Sequence, residues 1–489
     1  MVKFCELFFL TIIGFGKDVF GKLPVFSISI DNHVSSIVKE YEVLGNFSIT
    51  NDTSSGNLGI KLRGSSSLYF PKNSYRFETR DKNNSDVDMS LLGLPKEEDF
   101  VLQAPYVDKT LMRNVLVYDL SNSMGRYASR TRFVDLNING EYRGIYVLME
   151  KLKRDKNRID ISKKNSFILK VDRGNQNDSF ISNFGSEMNP DESANVYYVY
   201  DYPKLDEITQ EQKNYISGYV NDFETALSSE NFMANGKRYE SYIDVGSFID
   251  FIILNEISNN KDAYRLSTFM HKDEDGKLEM GPVWDFNIGF GNSQGCESNV
   301  TDKWSFRHNV YCKGDELQTA FWWTRLFEDT VFVTKFKDRW NQLRVYTLSE
   351  ETIFSKIDTY VSELSESLDD NFEKWDILGV KLWYNNFVGN TYEEEVDFLK
   401  SWISDRLTWM DGAIQSGSFE EYDIINDANS INDSVNVNDK QELIFIIIGV
   451  VIVSVIIICV VVLKMRTKMM TGAGVKITPI SCETPEETP

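Results

Sequence analysis

The chain has 489 residues, long enough for one large folded unit of about 390 residues with flanking segments. Apolar residues make up 42% and aromatics 13%, so a sizeable core is available. A net charge of −22 speaks against nucleic acid as the main partner, because phosphate backbones call for a basic surface.

The N-terminus, MVKFCELFFLTIIGFG, sets Lys3 before a short apolar run and the small residues Gly14 and Gly16. This is the shape of a signal peptide over residues 1–21, although Glu6 interrupts it and no small-x-small cleavage site is evident. Alternation at Val25, Phe26, Ile28 and Ile30 predicts strands within 24–49. Residues 59–63 form the next strand and open onto Gly64-Ser65-Ser66-Ser67, where small side chains let backbone N–H groups approach an anion. A further strand over 71–78 carries Lys72 and Arg76. With Arg63 they offer guanidinium forks and a point charge to a polyphosphate; the plain alternative is three exposed strand cations.

Leu111, Val115, Leu116 and Leu120 have helical spacing, so a helix is expected over 108–124, ending before Gly125. Residues 132–149 read as a hairpin around Asn139-Gly140. The hairpin ends in Glu150, which is a hinge residue, an ion-pair partner for the basic strand, or a surface acid. A polar insertion loop follows at 173–196, then a strand at 197–200. Helices are expected over 209–227, 242–257, 321–346, 351–368 and 392–414. Trp322, Trp323, Trp340, Trp402 and Trp409 belong to the core of that region.

The stretch 254–292 carries two acids of interest. Asp262 ends the polar loop Asn259-Asn260-Lys261-Asp262 after a helical run. Residues 267–271 alternate, Asp273-Glu274-Asp275-Gly276 makes a turn, and 277–280 leads into GPVWDFN. Asp262 and Asp285 therefore stand at the two open ends of one hairpin, close in space. Such a pair suits a base beside an attacking hydroxyl and a ligand for a hard cation such as Mg²⁺. Protein kinases follow the same order: a loop Asp, a hairpin, then a metal-binding Asp followed by Phe. Solvated acids at the ends of a hairpin are the plain alternative.

The runs GPVWDFNIGFGN, NEISNNKDAY and RGSSSLYFPKNSYRF together resemble the CotH family of spore-coat and cell-surface proteins. The likeness continues through SLLGLPKEEDFVLQAPYVDKTLMRN and FVDLNINGEYRGIYVLMEKLKRDKNRIDI to EVDFLKSWISDRLTWMD. Members are atypical, secretory-type protein kinases. The resemblance implies an α+β, two-lobed, kinase-like fold over 22–412, with a small antiparallel β lobe and a larger, mainly helical lobe. It implies transfer of the ATP γ-phosphate to Ser, Thr or Tyr of a secreted or cell-surface protein, with Mg²⁺ or Mn²⁺. On this footing Asp262 is the catalytic base and Asp285 the metal ligand, with Asn260, Asn287 or Ser267 completing coordination. Arg63, Lys72 and Glu150 fall on the nucleotide side, Lys72 as a phosphate contact. The family commonly has two lysines where this chain has Lys72-Asn73. Some fungal relatives bind host cells, so display as an adhesion module is a second reading. A glycosidase would use paired carboxylates but leaves the basic strand without a purpose.

Residues 413–442, rich in Asn, Asp and Ser, read as an acidic stalk. Residues 443–463, LIFIIIGVVIVSVIIICVVVL, carry no charge and span about 30 Å as a helix. Lys464, Arg466 and Lys468 follow, which places 464–489 in the cytosol. The expectation is a single-pass type I membrane protein, its kinase-like domain facing the secretory lumen or cell surface. Of five cysteines only Cys296 and Cys312 fall in that domain, as a disulfide or as two thiols; the scarcity of further Cys and His there disfavours zinc. Asn-x-Ser/Thr acceptors at Asn46, Asn51, Asn83, Asn177, Asn299 and Asn432 are compatible with secretion.

Overall fold

A computed structural model describes residues 21–30, 37–187 and 194–419. The signal segment up to residue 20, the stalk beyond Phe419, the apolar span 443–463, the tail and Asn432 lie outside the described residues. Among the described residues no helix is long and apolar enough to cross a membrane.

The first part is a closed barrel of β1 (Val25–Ile30), β2 (Val43–Ile49), β3 (Ser55–Arg63), β4 (Ser74–Arg80), β5 (Asp99–Gln103), β6 (Thr131–Ile138) and β7 (Glu141–Glu150). Strand order is β1-β2-β3-β4-β5-β7-β6. Alternate residues such as Phe26, Ile28, Leu58, Ile60, Phe77, Phe100 and Leu148 fill its own core. The expected antiparallel lobe needs correcting. β1 and β6 pair in parallel, from Val25 opposite Asp135 to Ile28 opposite Ile138, and that pairing closes the barrel and removes its edges. Asn139 and Gly140 both have positive φ, as the two-residue hairpin turn between β6 and β7 requires.

A second sheet contains β8 (Phe167–Val171), β9 (Ser179–Ile181), β10 (Tyr197–Tyr202), β13 (Thr268–Lys272) and β14 (Leu278–Met280), in the order β14-β13-β8-β10-β9. A separate two-stranded ladder joins β11 (Met233–Ala234) to β12 (Lys237–Arg238). The expected hairpin forms, with Met270 opposite Met280. It does not stand alone, because β13 also pairs with β8.

Helices α1 (Arg113–Ser123), α2 (Gln210–Ser228), α3 (Val245–Ser258), α4 (His308–Tyr311), α5 (Trp322–Leu326), α6 (Thr330–Arg344), α7 (Glu350–Leu364), α8 (Leu368–Lys374) and α9 (Tyr392–Ser416) complete the unit. They share a continuous core with the second sheet and with Phe133, Ile145 and Val147 on the outer face of the barrel. α1 starts later than its apolar spacing suggests. The Asp108 carboxylate accepts the N–H groups of Thr110 and Arg113, holding 108–112 as a capping turn. The expected helix 321–346 breaks before Asp329, whose carboxylate accepts the Val331 N–H at 3.0 Å and starts α6 afresh. The folded unit also runs past the expected boundary at 412. Ala413 and Ile414 are buried in α9, and Phe419 stacks on Phe327 at 4.8 Å.

Candidate active site

A cavity of about 1530 Å³ lies between the barrel and the second sheet with its helices. Its barrel wall includes Arg63, the turn 64–67, Val101, Gln103, Met149 and Lys151; the opposite wall includes Asp172, Asp262, Phe269, Trp284, Asp285 and Asn287. Gly64 makes the turn possible. Its φ is +115°, and a Cβ there would lie 2.0 Å from Ser67 Oγ.

Asp285 sits at φ +68°, a left-handed conformation that non-glycine residues rarely adopt and that persists only when its surroundings enforce it. Three hydrogen bonds do so. Its N–H donates to Tyr118 Oη at 3.1 Å, the next N–H, of Phe286, donates to Asn114 Oδ1 at 2.6 Å, and its carbonyl accepts from Asn260 Nδ2 at 3.0 Å. Asn114 and Tyr118 stand one turn apart on α1, so a single helix face clamps this peptide. Among the described residues no donor reaches the Asp285 carboxylate. Burial pushes its pKa up to about 6; Asp262 and Asp172 push the same way, and Arg63 opposes them.

Asp262 donates its N–H to Asn260 Oδ1 at 3.3 Å. Its carboxylate accepts from Arg265 Nη2 at 2.8 Å and keeps 24% of its side chain exposed on the cavity wall. Burial raises its pKa, while Arg265 and Lys261 pull it down. The Arg63 guanidinium lies 5.2 Å above the Trp284 ring, beside Asp285. Burial lowers its pKa and Asp285 raises it.

The structure thus brings Arg63, Asp262, Ser267, Asp285 and Asn287 to one cavity. It treats three other expected residues differently. Lys72 borders the cavity, but its ammonium donates to Asn371 Oδ1 at 3.0 Å and sits 5.2 Å over the Tyr146 ring, where burial lowers its pKa to about 7. Glu150 is fully buried off the cavity wall. It accepts from Arg130 Nε at 2.9 Å and Nη2 at 2.8 Å, so it is an ion-pair partner of Arg130. Asn260 is also off the wall, its amide spent on holding the two acid loops.

Asp172, Asn114, Tyr118 and Arg265 also belong to the site or support it, and the sequence alone does not single them out. Asp172 follows directly on the apolar run Phe167–Val171, a strand signal that preceded the supposed insertion loop. Asn114 and Tyr118 flank the apolar run Val115-Leu116-Val117 at helical spacing, a weak signal without a known partner.

A family model described as "CotH kinase protein" matches residues 60–410, a span that contains both walls of the cavity. Among solved structures, the Helicobacter pylori proinflammatory kinase CtkA is 10% identical, covering 81% of this chain and 100% of that one, with a TM-score of 0.29. No curated protein matches the chain.

Proposed function

This chain belongs to the CotH kinase protein family, and we propose that it transfers the γ-phosphate of ATP to a hydroxyl side chain of a protein. The observation that supports this most is the placing of Asp262 and Asp285 on one cavity wall, Asp262 raising the charge cost of Asp285, with Arg63 beside Asp285.

The residues present fit a hard divalent cation. Asp285 offers a carboxylate that no described donor occupies, and Asn287 adds an amide oxygen on the same wall. Mg²⁺ or Mn²⁺ held there would neutralise phosphate charge. Asn260 is unavailable as a ligand while its amide bonds both loops.

Asp262 orients the acceptor hydroxyl and takes its proton, and Arg265 fixes the carboxylate for that task. Arg63 offsets phosphate charge, and the Gly64 turn lets backbone N–H groups approach. Lys72 has no part in this while its ammonium bonds Asn371. The cavity exceeds the roughly 300–1,000 Å³ typical of small-molecule pockets, leaving room for a nucleotide and an incoming side chain.

The test is phosphate incorporation from radiolabelled ATP with Mg²⁺ or Mn²⁺ by the parent, Asp262→Asn and Asp285→Asn. Each variant should lose at least about 100-fold in rate. Equal incorporation by all three proteins overturns the proposal.

The position of Lys72 and the Asn73 that follows it favour a second reading, display for binding without catalysis. That reading gains if ATP with Mg²⁺ leaves the melting point unmoved and the double Asp variant still binds cells at full strength.

A further inference from the structure

Cys296 and Cys312 are joined as a disulfide, with Cα atoms 5.3 Å apart. The pair has company. Cys296, His308, Cys312 and Asp315 each present one metal-ligating atom, and the four atoms all lie within 4.8 Å of one another. Local backbone bonds bring three of them together. The Cys312 N–H donates to the His308 carbonyl at 2.8 Å, and the Asp315 N–H to the Cys312 carbonyl at 2.9 Å.

His308 supplies an independent sign of a ligand. It is only 5% exposed, and its Nε2 is buried without a hydrogen-bond partner. Asp315 Oδ2 is 3.9 Å away, beyond hydrogen-bond reach. A buried ring nitrogen left unpaired costs stability unless something takes its lone pair. The groups around it are two sulfurs and a carboxylate. Asp315 Oδ1 accepts the Leu317 N–H at 3.0 Å, which orients that carboxylate as an outer partner orients a metal ligand.

We propose that Cys296, His308, Cys312 and Asp315 bind a zinc ion when the Cys296–Cys312 bond is reduced. The donor set of two sulfurs, one nitrogen and one oxygen suits four-coordinate zinc. A dithiol opens the bond by supplying two electrons and two protons; it closes to its own disulfide and leaves two thiols. Zinc then displaces both thiol protons. This corner of the fold therefore has two closed states, disulfide and zinc.

The site adjoins the candidate active site. Arg265 Nη1 lies 3.4 Å from Asp315 Oδ2, and Nη2 of the same side chain lies 2.8 Å from Asp262 Oδ1. The inference stands on the ligand geometry and does not depend on phosphoryl transfer.

The test uses the full chain, reduced with a dithiol, desalted without oxygen and titrated with Co²⁺ and then Zn²⁺. The reduced parent should bind one cobalt with thiolate charge-transfer absorption, which zinc abolishes. The oxidised parent and a Cys296→Ser/Cys312→Ser variant should lack that absorption; the variant also controls for Cys5, Cys459 and Cys482. His308→Ala, purified oxidised so that the disulfide secures its fold, should bind cobalt at least about tenfold more weakly after reduction. Zinc should also slow alkylation of Cys296 and Cys312 in the reduced parent. Absence of the absorption in the reduced parent, or equal absorption in the double serine variant, overturns the proposal.

Discussion

Asn260 donates from its side-chain amide to the backbone carbonyl of Asp285 at 3.0 Å, while the oxygen of the same amide accepts the Asp262 N–H at 3.3 Å. One side chain thus sets the spacing of both acids without touching the cavity. Asn260→Asp keeps the shape and loses the donor. Phosphoryl transfer should fall by about 10- to 100-fold, in kcat more than in KM for ATP, because the acids are displaced rather than removed. The melting point should shift by no more than a few degrees. Steady-state kinetics with an unchanged kcat would remove Asn260 from this role.

The Asp285 carboxyl gives stability a pH dependence. Its folded pKa is raised to about 6, chiefly by burial, whereas an unfolded chain titrates near the ordinary carboxyl value of about 3.9. The folded state keeps the proton longer. Its stabilising share is complete below about pH 4 and is lost as pH rises through about 6. Asp285→Asn cannot ionise, so it should melt higher than the parent above pH 6, with the gap closing toward pH 4. Melting curves across that range decide the matter; a pH-independent gap would mean that another group is responsible.

Lys72 should be dispensable for catalysis. Its ammonium is buried against Asn371 and its folded pKa is lowered to about 7. The unfolded chain binds that proton up to about pH 10.4, so the buried charge lowers stability most below pH 7, and the deficit shrinks as pH rises toward 10. Lys72→Met should therefore raise the melting point, more at pH 6 than at pH 9, and leave ATP turnover within a few-fold. A loss of about 100-fold would instead make Lys72 a phosphate contact after rearrangement.

Glu256 and Arg406 form a fully buried pair, with Nη2 3.2 Å from Oε2. Glu256 also accepts from Tyr264 Oη at 2.7 Å and from the Ser305 N–H at 2.8 Å, so α3, the Asp262 loop and α9 meet at one carboxylate. Arg406→Ala strands that carboxylate and should cost about 3–5 kcal/mol, read from the urea midpoint. Adding Glu256→Gln should recover part of the loss. A single variant as stable as the parent would mean that the pair holds nothing together.

The hairpin between Asp262 and Asp285 was legible because its signals are local: alternation, then a turn rich in Asp and Gly. The same holds for Asn139-Gly140 and for most helices. β5 was missed because Asp99–Gln103 is short and nearly all buried, with no alternation to read. Glu150 fits three roles in the sequence, since a strand-end acid carries no mark of its partner. Only the fold supplies Arg130.

What the sequence by itself determined is the order of elements and the placing of two acids at the ends of one hairpin, because backbone propensity and side-chain period act over a few residues. Tertiary structure alone decided the parallel closure of β1 on β6, the turning of Lys72 onto Asn371 and the clamp of Asn114 and Tyr118 on Asp285. It also decided the meeting of Cys296 with the local His308, Cys312 and Asp315 group. Each of these joins side chains or strands whose approach is set by packing of the whole core, which no short stretch of chain encodes.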